Sequence, residues 1–173
     1  MAWDVYFDEP FTGEGTKVRP QRIYIDTSIV GGFFDEEFEK ETKLLFQRLE
    51  DREVVFVVSN VLIDELRNAP SNVKHLLDEY DERLVEKVVS TDEARELAQK
   101  YIAEKVVGKA SLDDCMHIAV ATINKADVLA SWNFKHIVNL ERIRGYNSVN
   151  LKNGYTPLEI RNPKELIDYG EDV

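Results

Sequence analysis

The sequence has one cysteine, Cys115, among 173 residues. A lone thiol excludes an intrachain disulfide framework, and it has no second cysteine with which to build a structural zinc site. Cys115 falls within an apolar helical pattern, where a buried thiol in a reducing compartment is the ordinary expectation. The 5 prolines and 8 glycines are scattered, so no flexible or Pro-rich linker and no repeat interrupts the chain between Arg22 and Ile160. No apolar run approaches the roughly 20 residues of a membrane span. The N-terminal Met-Ala-Trp-Asp-Val-Tyr-Phe-Asp lacks the basic and apolar regions of a signal peptide. These absences predict a cytoplasmic protein without a membrane partner. Basic residues are also outnumbered, 22 against 33 acidic, for a net charge of -11. That balance disfavours a general nucleic-acid binder, whose affinity for phosphates rests on basic patches. It is compatible with carboxylates gathered around a cation, because the bound ion supplies the positive charge that phosphate needs.

An apolar fraction of 43% at this length supports one good core. Residues 1–21 show no period and read as an N-terminal arm, and residues 22–173 as a single domain with a C-terminal extension. Ile23-Tyr24-Ile25 forms a short apolar strand ending at Asp26. A loop with a Gly31-Gly32 turn follows, then a helix from Glu36 to about Glu50. Val54 to Val58 is a β-branched run bounded by Ser59-Asn60, hence a buried strand with a helix cap behind it. The next helix carries Val61, Leu62 and Leu66 and closes near Pro70. A helical segment from Ser71 to Tyr80, a strand near Leu84 to Val89 and a helix from Asp92 to about Lys105 come next. Ser111 can cap a helix whose apolar positions Leu112, Cys115, Met116, Ala119 and Ile123 share one face, and Asp127 to Ala130 gives a further strand. Strands alternating with helices predict an α/β fold, a three-layer α/β/α sandwich around a mainly parallel sheet. Its ligands would collect at the carboxyl ends of the strands.

Three acids sit where such a fold builds sites, and each has a plain structural alternative. Asp26 follows the first strand, where it can simply cap the next turn. Glu65 lies one turn into the helix after the second strand, able to lean back toward the same edge, while Asp64 points about 100° away; either can be a solvated surface acid. Asp113 and Asp114 open the Ser111 helix, where the helix dipole favours acids with no function required and Ser111-Leu112-Asp113-Asp114 imitates a capping box.

Taken in order, Ile-Tyr-Ile-Asp26-Thr-Ser, Ser-Asn-Val-Leu-Ile-Asp-Glu65-Leu, Asp114-Cys-Met-His-Ile-Ala and Val-Leu-Ala-Ser131-Trp-Asn133-Phe resemble the PIN-domain family of metal-dependent ribonucleases, in particular the VapC-like toxins. The resemblance runs from about Arg22 to Val138, and the stretch from Tyr155 through Pro163 and Leu166 resembles a longer subgroup. It implies that Asp26, Glu65 and Asp114 bind Mg²⁺ or Mn²⁺ and, with Asn133, form the catalytic set. The family pattern often carries a fourth acid where this sequence has Asn133. An amide oxygen can still ligate a hard cation but adds no charge. The resemblance further implies an RNA substrate, a cognate antitoxin and a homodimer.

Around this set, Thr27, Ser28 and Ser131 can contact a metal-bound water or a phosphate, or merely satisfy loop backbone. Trp132, Phe134, Phe33 and Phe34 can stack on unpaired bases or pack in the core. Lys135, Lys125, Lys109 and Arg67 are the cations nearest the edge. His117 reads as structural, and His75 and His136 lack zinc spacing. A rival reading is a catalytically weak PIN-like module that binds RNA or protein. A phosphatase with an aspartyl nucleophile would need an acid two residues after Asp26, where Ser28 stands.

Overall fold

Residues 19–167 are described in the computed structural model. All of the strand pairings are parallel. β1 (Gln21–Ile25) lies at the centre, between β2 (Val54–Ser59) and β4 (Val128–Ala130); β3 (Val85–Val88) and β5 (Ile160–Arg161) form the edges, giving the order β3-β2-β1-β4-β5. The chain builds outward from β1 to β3, then crosses over to begin again at β4. The carboxyl ends of β1 and β4, paired at Ile25 and Ala130, therefore flank the crevice where the strand order reverses.

Side-chain alternation on the strands divides the interior into two cores. Ile23 and Ile25 of β1, Val54, Phe56 and Val58 of β2 and Ala130 of β4 pack with Ile29, Val30, Leu45, Phe46, Leu49, Leu62 and Leu66. These come from α1 (Thr27–Gly32), α2 (Glu39–Glu50) and α3 (Asn60–Leu66). Tyr24, Val57, Leu129 and Ile160 face the other way, onto α5 (Asp92–Ala103), α6 (Leu112–Ile123) and α7 (Leu140–Lys152). The result is the expected three-layer α/β/α sandwich. No helix among the described residues is long and apolar enough to cross a membrane.

Several local expectations are revised. The stretch after Asp26 is not a turn: it coils at once into α1. The segment from Ser71 to Tyr80 is a four-residue helix, α4 (Ser71–Lys74), followed by a 3₁₀ turn at Leu76–Glu79. The last part of the chain contributes a long helix and an edge strand that the hydrophobic pattern did not show. α7 buries only Tyr146, Val149 and Asn150, and Leu140 and Leu151 are exposed, so its amphipathic signal is faint. Its N-cap is Asn139, whose side chain accepts from the Glu141 and Arg142 amides. Of the expected arm at residues 1–21, residues 1–18 lie outside the described residues. Gln21 already belongs to β1 and Arg19 pairs with Asp127.

Two adjacent glycines end α1 with unlike surroundings. A Cβ on Gly32 would stand 2.8 Å from Cδ1 and Nε1 of Trp132, whereas one on Gly31 would meet nothing within 4 Å. Trp132 cannot retreat easily: its indole stacks on Phe38 at 4.4 Å and donates to Thr42. Gly32→Ala is therefore expected to lower stability by about 1–3 kcal/mol, the usual cost of overpacking. Gly31→Ala should be neutral or stabilising by up to about 1 kcal/mol, since alanine is the better helix former. Urea unfolding of both variants checks this; equal midpoints would refute the proposed close approach.

Candidate active site

Asp26 occupies the N-cap position of α1, yet its side chain caps nothing. Both carboxylate oxygens are instead taken by hydroxyls: Ser28 donates to Oδ1 at 2.5 Å and Ser131 to Oδ2 at 2.5 Å. The Ser131 bond bridges the crevice between the ends of β1 and β4. The two serines are themselves held by backbone, as Trp132 N–H donates to Ser28 Oγ at 2.8 Å and Asn133 N–H to Ser131 Oγ at 2.9 Å. Asp26 is only 4% exposed. Burial pushes its carboxyl above the usual range, opposed by the charge of His117, the Ser131 and Ser28 hydroxyls and the Ile29 amide.

Glu65 leans from α3 to the same edge. Thr27 donates to its Oε2 at 2.8 Å and His117 Nε2 lies 2.6 Å from its Oε1. Burial is the largest influence on Glu65 and raises its pKa, but the hydrogen bond and charge of His117 together with Thr27 leave it below the ordinary value. Asp64 points elsewhere and pairs with Arg67, as the helical offset requires. Asp114, in the first turn of α6, is half-buried. Its carboxyl is raised first by burial and further by the Asp26 and Glu65 charges, against the opposing influence of His136 and His117. That mutual influence places the three acids in one electrostatic neighbourhood. Ser111 makes no side-chain cap bond, so Asp114 is not part of a capping box.

Asn133 sits beside them with a definite orientation. Its Oδ1 accepts from His136 N–H at 2.9 Å, leaving Nδ2 to face Asp114 Oδ1 at 3.3 Å. The amide steers Asp114 by donation. Thr27, Ser28 and Ser131 bind the carboxylates, and Ser28 and Ser131 also satisfy the loop backbone, as one of the two expected roles had it. Trp132 is buried and belongs to the core, while Phe134 is 47% exposed at its edge. Phe33 packs on Phe46, and Phe34 is exposed beside Phe33.

His117, expected to be structural, Ser59, expected as a helix cap, and Tyr24, for which the sequence suggests no role, meet behind Glu65. His117 lies three residues after Asp114 on α6, an offset that keeps both on one side of the helix. Tyr24 is the one polar side chain in Ile-Tyr-Ile, and that was the available signal. Its hydroxyl joins His117 Nδ1 and Ser59 Oγ, each at 2.7 Å.

Could this set hold a cation? Among the described residues no group of three or more acids, histidines or cysteines stands ready-made to enclose one. The donor chemistry nevertheless fits a hard divalent ion: three carboxylates share one edge, and two of them have pKa values raised by burial, a strain that a cation relieves.

The PIN domain profile matches residues 23–135. Among solved structures, VapBC2 from Rickettsia felis, bound to a DNA fragment from its promoter, is 14% identical with a TM-score of 0.53, covering 82% of this chain and 98% of that one. FitAB bound to a DNA fragment is 12% identical with a TM-score of 0.54, over 86% and 99%. FitAcB from Neisseria gonorrhoeae is 12% identical with a TM-score of 0.53, over 82% and 98%. At such identities the likeness is one of fold. No curated protein matches the chain in sequence.

The raised carboxyls make a pH prediction for the metal-free protein. Asp26 and Asp114 bind a proton more tightly folded than unfolded, where they titrate near 3.8. Their contribution to stability is thus fully present below pH 3.8 and is lost as pH rises through the raised folded values. Asp26→Asn removes the buried charge. At pH 7 it should melt higher than the parent, by about 2–4 °C for each kcal/mol relieved, with the gap closing as pH falls toward 4. A variant that melts lower at pH 7 would contradict this assignment.

Proposed function

The chain belongs to the PIN domain family, and on that premise we propose that it is a Mg²⁺- or Mn²⁺-dependent ribonuclease, the toxin of a toxin-antitoxin pair. RNA would be its substrate, an antitoxin its inhibitory partner and a homodimer its assembly. The observation that supports this most is the gathering of Asp26, Glu65 and Asp114 at the switch point of the sheet, with Asp26 buried as an acid that no helix cap explains.

Asp26, Glu65 and Asp114 are the residues that would hold the ion. Bound there, it would activate water and offset the charge that builds on the phosphodiester. The protein's own part is preorganisation. Ser28 and Ser131 fix both Asp26 oxygens, Thr27 and His117 fix those of Glu65, and the Asn133 amide steers Asp114. These bonds hold the acids without further reorganisation when substrate arrives. The exposed ring of Phe134 offers a face for an unpaired base, and exposed Lys135 next to it a charge for the backbone.

A second reading, a module that binds RNA or protein without cutting, is favoured by Asn133 standing where the family pattern often has an acid. One assay separates the two. The purified chain is incubated with an RNA pool in Mn²⁺ or Mg²⁺, with and without chelator. Metal-dependent cleavage is expected, reduced more than about 100-fold by Asp26→Asn or Asp114→Asn, which take a negative charge from a ligand itself and not merely from its supports. Cleavage that survives the double substitution would sink the site assignment. No cleavage with any divalent metal would favour the binding module.

A further inference from the structure

Behind Glu65 runs a line of buried polar groups that neither packing nor capping accounts for. Ser59 Oγ lies 2.7 Å from Tyr24 Oη, Tyr24 Oη lies 2.7 Å from His117 Nδ1, and His117 Nε2 lies 2.6 Å from Glu65 Oε1. Ser59, Tyr24 and His117 are each at most 2% exposed, and only Glu65 reaches the surface. We propose that Tyr24 and His117, anchored on Ser59, are positioning residues that set the affinity of Glu65 for its divalent cation. The inference rests on the metal-dependent reading above.

Hydrogen-bond accounting fixes one end of the line: an ionised Glu65 can only accept, so His117 Nε2 donates to it. The Tyr24 hydroxyl can both donate and accept, so it joins His117 Nδ1 and Ser59 Oγ whichever way those bonds run, and every group in the line is satisfied. An aromatic edge contact between Tyr24 and His117, centroids 5.7 Å apart at 66°, fixes the ring plane as well.

A purely structural role explains less. A buried tyrosine hydroxyl needs one partner, and Ser59 alone would provide it. The line continues instead to a carboxylate on a short helix, α3, which has only seven residues. Glutamate has three side-chain torsions and gives up much freedom when it is ordered. With Oε1 fixed by His117 and Oε2 by Thr27, both oxygens are already ordered. Partners behind a ligand typically change metal affinity about 10–100-fold when lost. The opposite arrangement, in which His117 ties Glu65 back from the ion, predicts a change of opposite sign.

The test is Mn²⁺ binding to the metal-free protein, read by electron paramagnetic resonance of the free ion, below the melting temperature of every variant. Tyr24→Phe keeps the ring and removes only the hydroxyl. It should weaken Mn²⁺ binding about 3–10-fold, and His117→Gln about 10–100-fold. The decisive readout is a double-mutant cycle: combined with Glu65→Gln, Tyr24→Phe should have no further effect. Unchanged or tighter binding in Tyr24→Phe overturns the inference, as does an equal loss with and without Glu65→Gln. Should Tyr24→Phe not fold, His117→Gln in the same cycle decides by the same criteria. If Glu65→Gln alone binds Mn²⁺ like the parent, it is the metal role of Glu65 that fails, and this outcome is distinct from the others.

Discussion

Asp26 carries a carboxylate into a crevice where it is 4% exposed, and the surroundings are arranged around that constraint. Burying such a group is costly unless it is hydrogen-bonded, and both its oxygens receive serine hydroxyls from different parts of the chain. Those serines keep their place because Trp132 and Asn133 donate backbone amides to them. Trp132 in turn is seated by Phe38, Thr42 and the bare backbone of Gly32. One buried charge thus ties the end of β1, the start of α1, the loop after β4 and the side of α2 into a single rigid corner. Loosening any of these would free the serines to rotate away from the acid.

The strand period supplies the second link. Ile23 and Ile25 enter the core beside α1 and α2, so Tyr24 must enter the other, against α6. There it meets His117, one turn beyond Asp114 on that helix. A register slip of one residue would exchange the two faces and bury isoleucine where the hydroxyl now reaches His117 and Ser59. The pairings of Ile23 with Phe56 and with Val128 on either side of β1 keep the strand from slipping. Fold and site are therefore specified by the same alternation.

How much of this was legible in the sequence depended on the strength of the local pattern. The β-branched run at β2 announced itself, whereas α6, expected to present one apolar face, buries every residue from Cys115 to Thr122; the acids Asp26, Glu65 and Asp114 were picked out by the family resemblance. α7 was hidden because its contribution to the core is small and partly polar: beside Tyr146 and Val149, Asn150 is fully buried and accepts from the Tyr101 hydroxyl at 2.5 Å. β5 has two residues, too few for any period to register. The bonds of His117 and Tyr24 were invisible for another reason. They join side chains 35, 52 and 93 residues apart, and no local spacing encodes partners that distant. Capping propensity misled in the opposite direction, since Asp26, Ser59 and Ser111 each stand at a helix N-cap and none uses its side chain there.

The position of Asn133 links the acidic character of the chain to the proposed chemistry. Three carboxylates and one divalent cation leave a net single negative charge, and a fourth acid would leave two, which calls for a second ion before a phosphate can approach. Asn133 removes that demand. Its Nδ2 faces Asp114 as a donor, where an aspartate would present a second negative oxygen, and its Oδ1 is already engaged by the His136 amide. On the metal-dependent reading, then, the free protein needs one ion to balance its acids. A second would gain most of its ligands from the substrate phosphate itself, and its two positive charges would offset the one left on the site and the one the phosphate brings.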